Sequence, residues 1–229
     1  MQNIPNGKDL DWSRIDTVLL DMDGTVLDLA FDNFFWLRHL PARWGASRGL
    51  DAEAALQALM PHFIEHRGHL RWYCLDHWSE ILGFNVAEEK RACRERIAPL
   101  PGSEAFLGAV RDSGRRLLLV TNAHPAALDI KLAEVPLQSY FEAMVSSHEL
   151  GLPKENAEFW PAFAHRYAVD LTRSLFVDDS ESVLRGAQAG GVGQVCGILA
   201  PDSTTPARTP FGDWPHVMGL KDLRISSPD

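Results

Sequence analysis

Acidic, hydroxyl and amino side chains follow the apolar runs of this sequence at four points along the chain. The carboxyl ends of parallel strands meet at one edge of an open sheet, where such folds bind their ligands, so we expect these side chains to lie close together. They are Asp21, Asp23 and Thr25 after the first run, Thr121 and Asn122 after the second, Ser146, Ser147 and, a short loop later, Lys154 after the third, and Asp178 and Asp179 after the fourth.

The four carboxylates predict a bound divalent cation, because packed unpaired carboxylates raise each other's pKa and cost stability. Hard oxygen ligands in small number favour Mg²⁺. An aspartate beside Mg²⁺ can attack phosphorus and form an aspartyl phosphate, and a second aspartate two residues later can protonate the leaving oxygen and then deprotonate water. Mg²⁺ and a lysine would neutralise the transferring group, while a hydroxyl and backbone N–H groups hold its oxygens.

Each of these signals has a simpler structural explanation when it stands alone. Asp21 and Asp23 could form a turn and a helix N-cap, and Asp178 and Asp179 could cap the helix that follows them. Lys154 alone would be an ordinary solvated lysine. An EF-hand is excluded, since its D-x-D-x-D-G spacing and closing glutamate are missing. Signals at the ends of four successive strands, in the right order, favour the catalytic interpretation.

Short continuous apolar runs alternate with helical segments, and this alternation predicts an α/β fold with a parallel sheet covered on both faces. The predicted strands are residues 17–21, 116–120, 143–145, 174–177 and 194–198. The predicted helices between them are residues 103–113, 124–132, 155–167 and 180–189.

The segment from residue 28 to 99 is different, because it contains no convincing strand. Residues 51–60 and 69–82 have helical spacing, and Gly83 is a stop signal for the second helix. We therefore predict a core domain of residues 1–27 and 100–229 and an inserted, all-helical domain of residues 28–99 that acts as a lid. The tail of residues 201–229 is predicted to be irregular, with one late element around 214–220.

Composition excludes several other classes of protein. Apolar residues make up 45% and charged residues 23%, as in ordinary globular chains. The net charge of −9 argues against a protein that binds nucleic acid polymers or an anionic membrane. Cys74, Cys93 and Cys196 form no C-x-x-C pair or disulfide framework, which favours a reducing compartment. Residues 1–14 lack the apolar stretch of a signal peptide, and no apolar run is long enough to span a membrane, so we expect a cytoplasmic protein. We expect it to be a monomer or a homodimer.

The segment Asp21-Met-Asp-Gly-Thr25 resembles the first motif, D-x-D-G-T, of the haloacid dehalogenase-like (HAD) hydrolase superfamily, and Thr121, Lys154 and Asp178-Asp179 match its second, third and fourth motifs. The helical insertion after the first motif is similar to the C1 type of cap. The resemblance implies a Rossmann-like HAD core with a C1 cap. The acid at position 23 favours a phosphatase, since the dehalogenase branch lacks it.

The same resemblance assigns roles to the motif residues. It implies that Asp21 is the nucleophile and Asp23 the general acid and base, and that Mg²⁺ is the cofactor. Thr121 and Lys154 would bind phosphate, with help from Asn122. Mg²⁺ would be held by Asp21, the backbone carbonyl of Asp23, and one or both of Asp178 and Asp179.

Longer blocks at residues 16–36, 72–79, 120–125 and 175–181 resemble a bacterial nucleotidase subgroup of this superfamily that acts on GMP and IMP. The resemblance runs from about residue 12 to 200. It implies a small phosphomonoester as substrate, a purine nucleoside 5′-monophosphate. Because HAD phosphatases are often promiscuous, a sugar phosphate, phosphoglycolate or transfer to a second substrate, as in a β-phosphoglucomutase, stay open as alternatives.

The insertion is rich in aromatic, histidine and arginine residues, so a purine could stack on a ring and meet polar donors there. We expect most of these rings to form the insertion's own core. The segment nearest the first motif and the helix at 72–78 are the better candidates for substrate specificity. The candidate residues are Asn33, Trp36, Arg38, Trp72, Tyr73 and Asp76.

Two other chemistries have weaker support in the insertion. His62, Glu65 and His66 fit H-x-x-E-H, the inverted zinc-protease pattern, but such a short pattern arises easily in a histidine-rich segment. A phosphonatase would need a lysine in the cap that forms a Schiff base. Lys90 is the only lysine of the insertion, and nothing in the sequence marks it as buried. A non-catalytic binding protein on a HAD scaffold is disfavoured by the intact Asp21.

Overall fold

A parallel six-stranded sheet forms the centre of the molecule, seen in a computed structural model that describes residues 10–225. The strands are β1 (Thr17–Leu20), β2 (Arg116–Thr121), β3 (Ala143–Ser146), β4 (Ser174–Asp178), β5 (Gln194–Ile198) and β6 (His216–Val217). Their order in the sheet is β3-β2-β1-β4-β5-β6. The predicted α/β fold is thus confirmed, and β6 is a strand within the predicted late element. Residues 1–9 of the predicted core and 226–229 of the predicted tail lie outside the described residues.

Ten α-helices are found among the described residues, and the first six of them form a group within residues 30–92, between β1 and β2. These six are α1 (Ala30–Phe34), α2 (Leu40–Ala46), α3 (Ala52–His66), α4 (Leu70–Tyr73), α5 (Leu75–Leu82) and α6 (Val86–Ala92), and together they are called the helical insert, residues 30–92. The other four are α7 (Ser103–Asp112), α8 (Pro125–Glu134), α9 (Phe159–Tyr167) and α10 (Glu181–Ala189). No strand occurs inside the helical insert, as the sequence predicted.

The sheet is buried on both faces, which explains the continuous apolar runs of its strands. All four residues of β1 are buried, and successive side chains point to opposite faces. Val18 and Leu20 pack in a core with residues of α7, whereas Leu19 packs in a second core with α9 and α10. The two cores hold the strand ends rigidly, and with them the polar residues that follow each strand.

The helical insert has a core of its own, built around Phe35, Phe63 and Trp78. The predicted helix over residues 69–82 is in fact two helices, because Cys74 adopts an extended conformation between α4 and α5. The predicted stop at Gly83 is confirmed, since Gly83 ends α5 with a positive φ of 79° that glycine adopts without strain.

Two predicted helix boundaries were wrong. The helix predicted over 51–60 continues to His66 as α3, and the helix predicted over 155–167 begins only at Phe159. Residues before Phe159 form turns, and Trp160 donates a hydrogen bond from Nε1 to the carbonyl of Lys154 at 3.0 Å. These turns place Lys154 against the sheet edge. None of the helices within residues 10–225 combines the length and the hydropathy that a membrane crossing requires.

Candidate active site

Three carboxylates meet at the carboxyl ends of the two central strands. Asp21 follows β1, and its N–H donates to the carbonyl of Val177 in β4 at 3.0 Å. Asp178 ends β4, and Asp179 comes next along the chain. One carboxylate oxygen from each of the three aspartates lies within 4.8 Å of the others. The sheet register therefore brings together residues that stand 157 positions apart in the chain, as the strand-end argument predicted.

The electrostatics of this group indicate a shortage of positive charge. Burial raises the pKa of Asp21 to about 7, opposed by the attraction of Lys154. Burial likewise raises the pKa of Asp178 and of Asp179. These carboxylates carry more negative charge than their neighbours neutralise, and their oxygens lie close enough together to contact a single cation. Such a group of oxygen ligands fits a hard divalent metal such as Mg²⁺.

Lys154 lies between two of these carboxylates. Its Nζ contacts Asp21 and donates to Asp178 Oδ2 at 2.8 Å and to the Val120 carbonyl at 3.0 Å. Its side chain is almost fully buried, at 2% exposure, so the alternative of a solvated surface lysine is wrong. Burial lowers the pKa of Lys154, but the attraction of Asp178 and Asp21 outweighs burial and raises that pKa above its usual value.

Asn122 and Thr121, at the end of β2, are both engaged in the local structure. The Asn122 side chain accepts from the Lys154 N–H at 2.9 Å and donates from Nδ2 to Glu155 at 2.9 Å. Thr121 Oγ1 accepts from the N–H of Ala123 at 3.0 Å, which turns the chain after β2. Asn122 thus positions the loop that carries Lys154.

Asp23 sits on a tight turn after β1. The Leu27 N–H donates to the Met22 carbonyl at 2.8 Å, and the Gly24 N–H donates back to Leu27 at 2.7 Å. Gly24 has a φ of +83°, and a Cβ there would stand 2.8 Å from Asp179 Cγ. Both the conformation and the close approach require glycine at this position.

The Asp23 carboxylate faces a buried charge cluster that the sequence did not reveal. Lys131 Nζ of α8 lies 2.6 Å from Asp23 Oδ1 and 2.6 Å from Asp32 Oδ2. Asp32 in turn pairs with Lys90 Nζ of α6 at 2.5 Å. Lys90 is 1% exposed and lies over the ring of Phe35 at 4.6 Å. Lys90 is therefore buried, contrary to the expectation from sequence, and Asp32 holds its ammonium group.

The charges of this cluster balance, since two aspartates face two lysines. Burial raises the pKa of Asp23, while the two lysines lower the pKa of Asp32 against the effect of burial. Lys131 joins the chain segment of the first motif to the helical insert through Asp32. No sequence signal distinguishes Lys131 or Lys90 from a solvated helix lysine.

A cavity of about 400 Å³ lies between these charges and the helical insert. Four of the six predicted specificity residues line it, namely Asn33, Trp36, Trp72 and Tyr73. Arg38 and Asp76 do not line it, and both side chains are exposed. Further apolar walls come from Leu37, Met60, Phe63, Ile64 and Trp78. As expected, Trp78 and Phe63 also form the insert's own core.

Glu155 connects the helical insert to the core at the edge of the cavity. Tyr73 donates its hydroxyl to Glu155 Oε1 at 2.7 Å, and Asn122 donates to Oε2 of the same carboxylate. Burial and the charge of Glu155 raise the pKa of Tyr73. The sequence did not single out Glu155, although its place next to Lys154 was a possible signal.

The tail after β5 also reaches the site. Arg208 donates from Nη1 to Asp179 Oδ2 at 2.9 Å, and Asp202 accepts from Asn33 Nδ2 at 2.6 Å. The tail was predicted to be irregular, and residues 201–215 contain no helix or strand. Its contacts to the fourth motif and the insert could not be read from its composition.

The zinc-protease pattern finds no support in the geometry. Potential metal ligands gather in two groups within residues 10–225, and neither contains His62, Glu65 or His66. His62 is exposed, and the His66 ring packs against His77 with ring centroids 4.6 Å apart.

Comparison with known proteins agrees with the geometry of the site. The sequence profile of the haloacid dehalogenase-like hydrolases matches residues 15–191. The chain is 40% identical over 192 residues to the GMP/IMP nucleotidase YrfG of Escherichia coli, covering 84% of this chain and 86% of that protein. It is 27% identical to the pyrimidine 5′-nucleotidase YjjG of the same organism, covering 76% of this chain and 83% of that protein.

Among solved structures, a HAD phosphatase from Thermococcus onnurineus superposes with a TM-score of 0.76 at 19% identity, covering 92% of this chain and 96% of that one. This similarity shows the shared fold. Together with the family profile and the 40% identical relative, it shows that this chain is an enzyme that belongs to the haloacid dehalogenase-like hydrolases.

Proposed function

We propose that this enzyme is a Mg²⁺-dependent phosphatase that hydrolyses purine nucleoside 5′-monophosphates such as GMP and IMP. The observation that carries the proposal is the position of Asp21 and Asp23 in the wall of a cavity whose opposite side is aromatic. A relative that is 40% identical over most of the chain is a GMP/IMP nucleotidase, which supports the substrate.

Asp21, Asp178 and Asp179 would hold the Mg²⁺ ion, together with the backbone carbonyl of Asp23. Their carboxylate oxygens already lie within 4.8 Å of one another. The pKa values of these buried groups are raised, as expected for carboxylates without a bound cation. When bound, the ion would neutralise charge on the phosphoryl group and on the three carboxylates.

In the first step, a carboxylate oxygen of Asp21 attacks the phosphorus, and the bond from phosphorus to the 5′ oxygen of the nucleoside breaks. Asp23 donates a proton to that leaving oxygen. In the second step, Asp23 takes a proton from water as the water oxygen attacks phosphorus, which frees phosphate and restores the Asp21 carboxylate. Lys131 holds Asp23 beside the cavity in both steps.

Lys154 and Thr121 would bind the phosphate oxygens. The Lys154 ammonium group lies against the nucleophile, where it would offset the charge of the transferring group. Both polar atoms of the Asn122 side chain are engaged, so we assign Asn122 to the positioning of Lys154 rather than to direct phosphate binding.

The nucleoside would occupy the side of the cavity lined by the helical insert. Trp36 and Trp72 present aromatic surface there, and base–aromatic stacking contributes about 1–3 kcal/mol per base. The cavity volume lies within the usual range for small-molecule sites. The helical insert would close over the substrate and exclude water, and the Tyr73 contact to Glu155 would hold this closed arrangement.

The direct test is phosphate release from a panel of phosphomonoesters with Mg²⁺ and with EDTA. The panel contains purine and pyrimidine nucleoside monophosphates, sugar phosphates and phosphoglycolate. We expect Mg²⁺-dependent release, highest kcat/KM for GMP and IMP, and no turnover by Asp21→Asn. If a sugar phosphate or phosphoglycolate has the highest kcat/KM, the mechanism stands and the nucleotide assignment is wrong.

Base stacking is tested separately with Trp36→Ala and Trp72→Ala. We expect each to lower kcat/KM for GMP about tenfold or more, while turnover of acetyl phosphate, which has no base, stays close to that of the wild type. Trp44→Ala is the matched control, since Trp44 is a half-buried tryptophan of the insert that does not line the cavity. Unchanged GMP kinetics in both cavity variants would exclude stacking on these rings.

A further inference from the structure

Three potential metal ligands outside the site described above meet where the helical insert contacts the core. Cys74 lies between α4 and α5, Asp76 is in the first turn of α5, and His124 is the N-cap of α8. The Cys74 Sγ, an Asp76 carboxylate oxygen and a His124 ring nitrogen all lie within 4.8 Å of one another. We propose that these three residues bind Zn²⁺ and that the bound ion links the helical insert to the core.

The types of ligand distinguish this site from the carboxylate site. A thiolate, an imidazole and a carboxylate are a typical ligand set for zinc, whereas Mg²⁺ takes oxygen ligands. The two sites should therefore be filled by different ions when both are present. Three protein ligands leave the fourth position of a tetrahedral zinc ion for water.

The distances are close to those that zinc requires. With zinc–ligand bonds of about 2.0–2.3 Å, tetrahedral geometry puts the ligand atoms about 3.3–3.6 Å apart. His124 Nε2 and Asp76 Oδ2 already stand 3.6 Å apart. Cys74 is half-buried and forms no disulfide, and the Asp76 side chain is 83% exposed, so the Asp76 carboxylate can turn toward an ion without displacing packed neighbours.

Zinc binding also has a defined cost at His124. Its Nδ1 accepts a 3.3 Å hydrogen bond from the N–H of Ala126, which leaves the ring proton of neutral histidine on Nε2. Zinc at Nε2 would move that proton to Nδ1, and the site would lose this single long bond. The Cys74 thiol would release its proton to solvent, since zinc binds the thiolate.

The location gives the ion a structural consequence. His124 lines the catalytic cavity, while Cys74 and Asp76 belong to the helical insert. An ion bound to all three would hold α5 against α8 at the edge of the cavity. Zinc would then slow the opening that substrate entry and product release require. This inhibition rests on the proposed function, whereas zinc binding itself does not.

Binding is tested with Co²⁺, which takes zinc sites and reports a cysteine ligand by its charge-transfer absorption. The full chain is kept in excess Mg²⁺ to fill the carboxylate site. We expect one equivalent of Co²⁺ with thiolate charge-transfer and tetrahedral bands, displaced by one equivalent of Zn²⁺. Cys74→Ser should abolish the charge-transfer band and, like Asp76→Asn, weaken Co²⁺ binding at least about tenfold.

Two control variants isolate the site. Cys93→Ser removes a buried thiol that is not part of the trio, and Asp21→Asn alters the carboxylate site, so both should keep the band. The absence of a thiolate band in the wild type, or its persistence in Cys74→Ser, would overturn the zinc site.

The effect on closure is tested by phosphate release with added Zn²⁺ in excess Mg²⁺. We expect Zn²⁺ to inhibit the wild type, and Cys74→Ser to keep basal activity and lose the inhibition. Equal inhibition of Cys74→Ser would overturn the link to closure. If the wild-type protein hydrolyses no phosphoester, the proposed function is wrong. The absorption bands of bound Co²⁺ still show in that case whether the zinc site exists.

Discussion

The buried charge cluster around Lys131 makes a sharp prediction about stability. Lys131 is 2% exposed and pairs at 2.6 Å with both Asp23 and Asp32, while Lys90 contacts Asp32. Lys131→Met keeps the length and the apolar stem of the side chain and removes its charge. The variant would leave two buried carboxylates facing one cation.

The magnitude follows from the two contacts. At an effective dielectric constant of about 20, each 2.6 Å pair contributes about 6 kcal/mol of attraction. Desolvation of a buried ammonium group offsets several kcal/mol of this. Removal of one partner from a buried pair typically costs about 3–5 kcal/mol, so we expect Lys131→Met to lower the free energy of unfolding by that amount.

The assay is urea unfolding at neutral pH, followed by the fluorescence of the tryptophans. With an m-value of about 3 kcal/mol per molar urea, the midpoint should fall by about 1–2 M. Lys221→Met is the matched control, because Lys221 is exposed and its loss should change stability by less than about 0.5 kcal/mol.

A double variant identifies the cause. Asp23→Asn removes the carboxylate that Lys131→Met leaves without a cation, while Asp32 keeps its contact with Lys90, so in the Lys131→Met background it should restore part of the stability that the single variant lost. The coupling between the two changes should exceed about 1 kcal/mol. A Lys131→Met protein within about 1 kcal/mol of the wild type would refute the reasoning, as would an Asp23→Asn change that destabilises the Lys131→Met protein further.

Two other predictions concern close packing and pH. Gly186 in α10 faces the segment that carries Lys154, and a Cβ there would stand 2.5 Å from the Glu155 carbonyl oxygen. Gly186→Ala should therefore lower the free energy of unfolding by about 1–3 kcal/mol. Gly108→Ala in α7, where a Cβ would meet nothing within 4 Å, should instead stabilise the protein by about 0.5–1 kcal/mol; the opposite order would contradict the packing argument. Burial lowers the pKa of His216, so the unfolded chain takes up a proton that the folded protein does not, and stability should fall as pH drops below about 6.5. Thermal unfolding should show a smaller loss between pH 7.5 and 5.5 in His216→Gln, and an equal loss would exclude His216 as the cause.

Predictions from sequence worked best where the physical cause is local. The strand ends could be located because a strand buried on both faces needs a continuous apolar run, and the polar residues directly after it then lie at one edge of the sheet. Asp21, Thr121 and Asp178 were therefore expected together, and the structure places them at adjacent strand ends. Gly83 was identified as a helix stop for a similarly local reason.

Predictions failed where the outcome depends on a partner far away in the chain. Lys90 and Lys131 look like solvated helix lysines, and only the fold brings them to Asp32, 58 and 99 positions away. Arg208 reaches Asp179 from a tail without helix or strand. Arg38 was a specificity candidate by its nearness to the first motif, yet it is exposed to solvent.

The sequence by itself determined the reaction type that we propose for this chain, because the proposed nucleophile, acid and cation ligands are set by residue type and by their positions at strand ends. The tertiary structure decided which side chains surround them. The charge of a carboxylate such as Asp23 is stabilised or destabilised by neighbours within a few ångströms. Those neighbours, of which Lys131 is the main one, are brought close by packing between distant segments, and no local sequence pattern determines them.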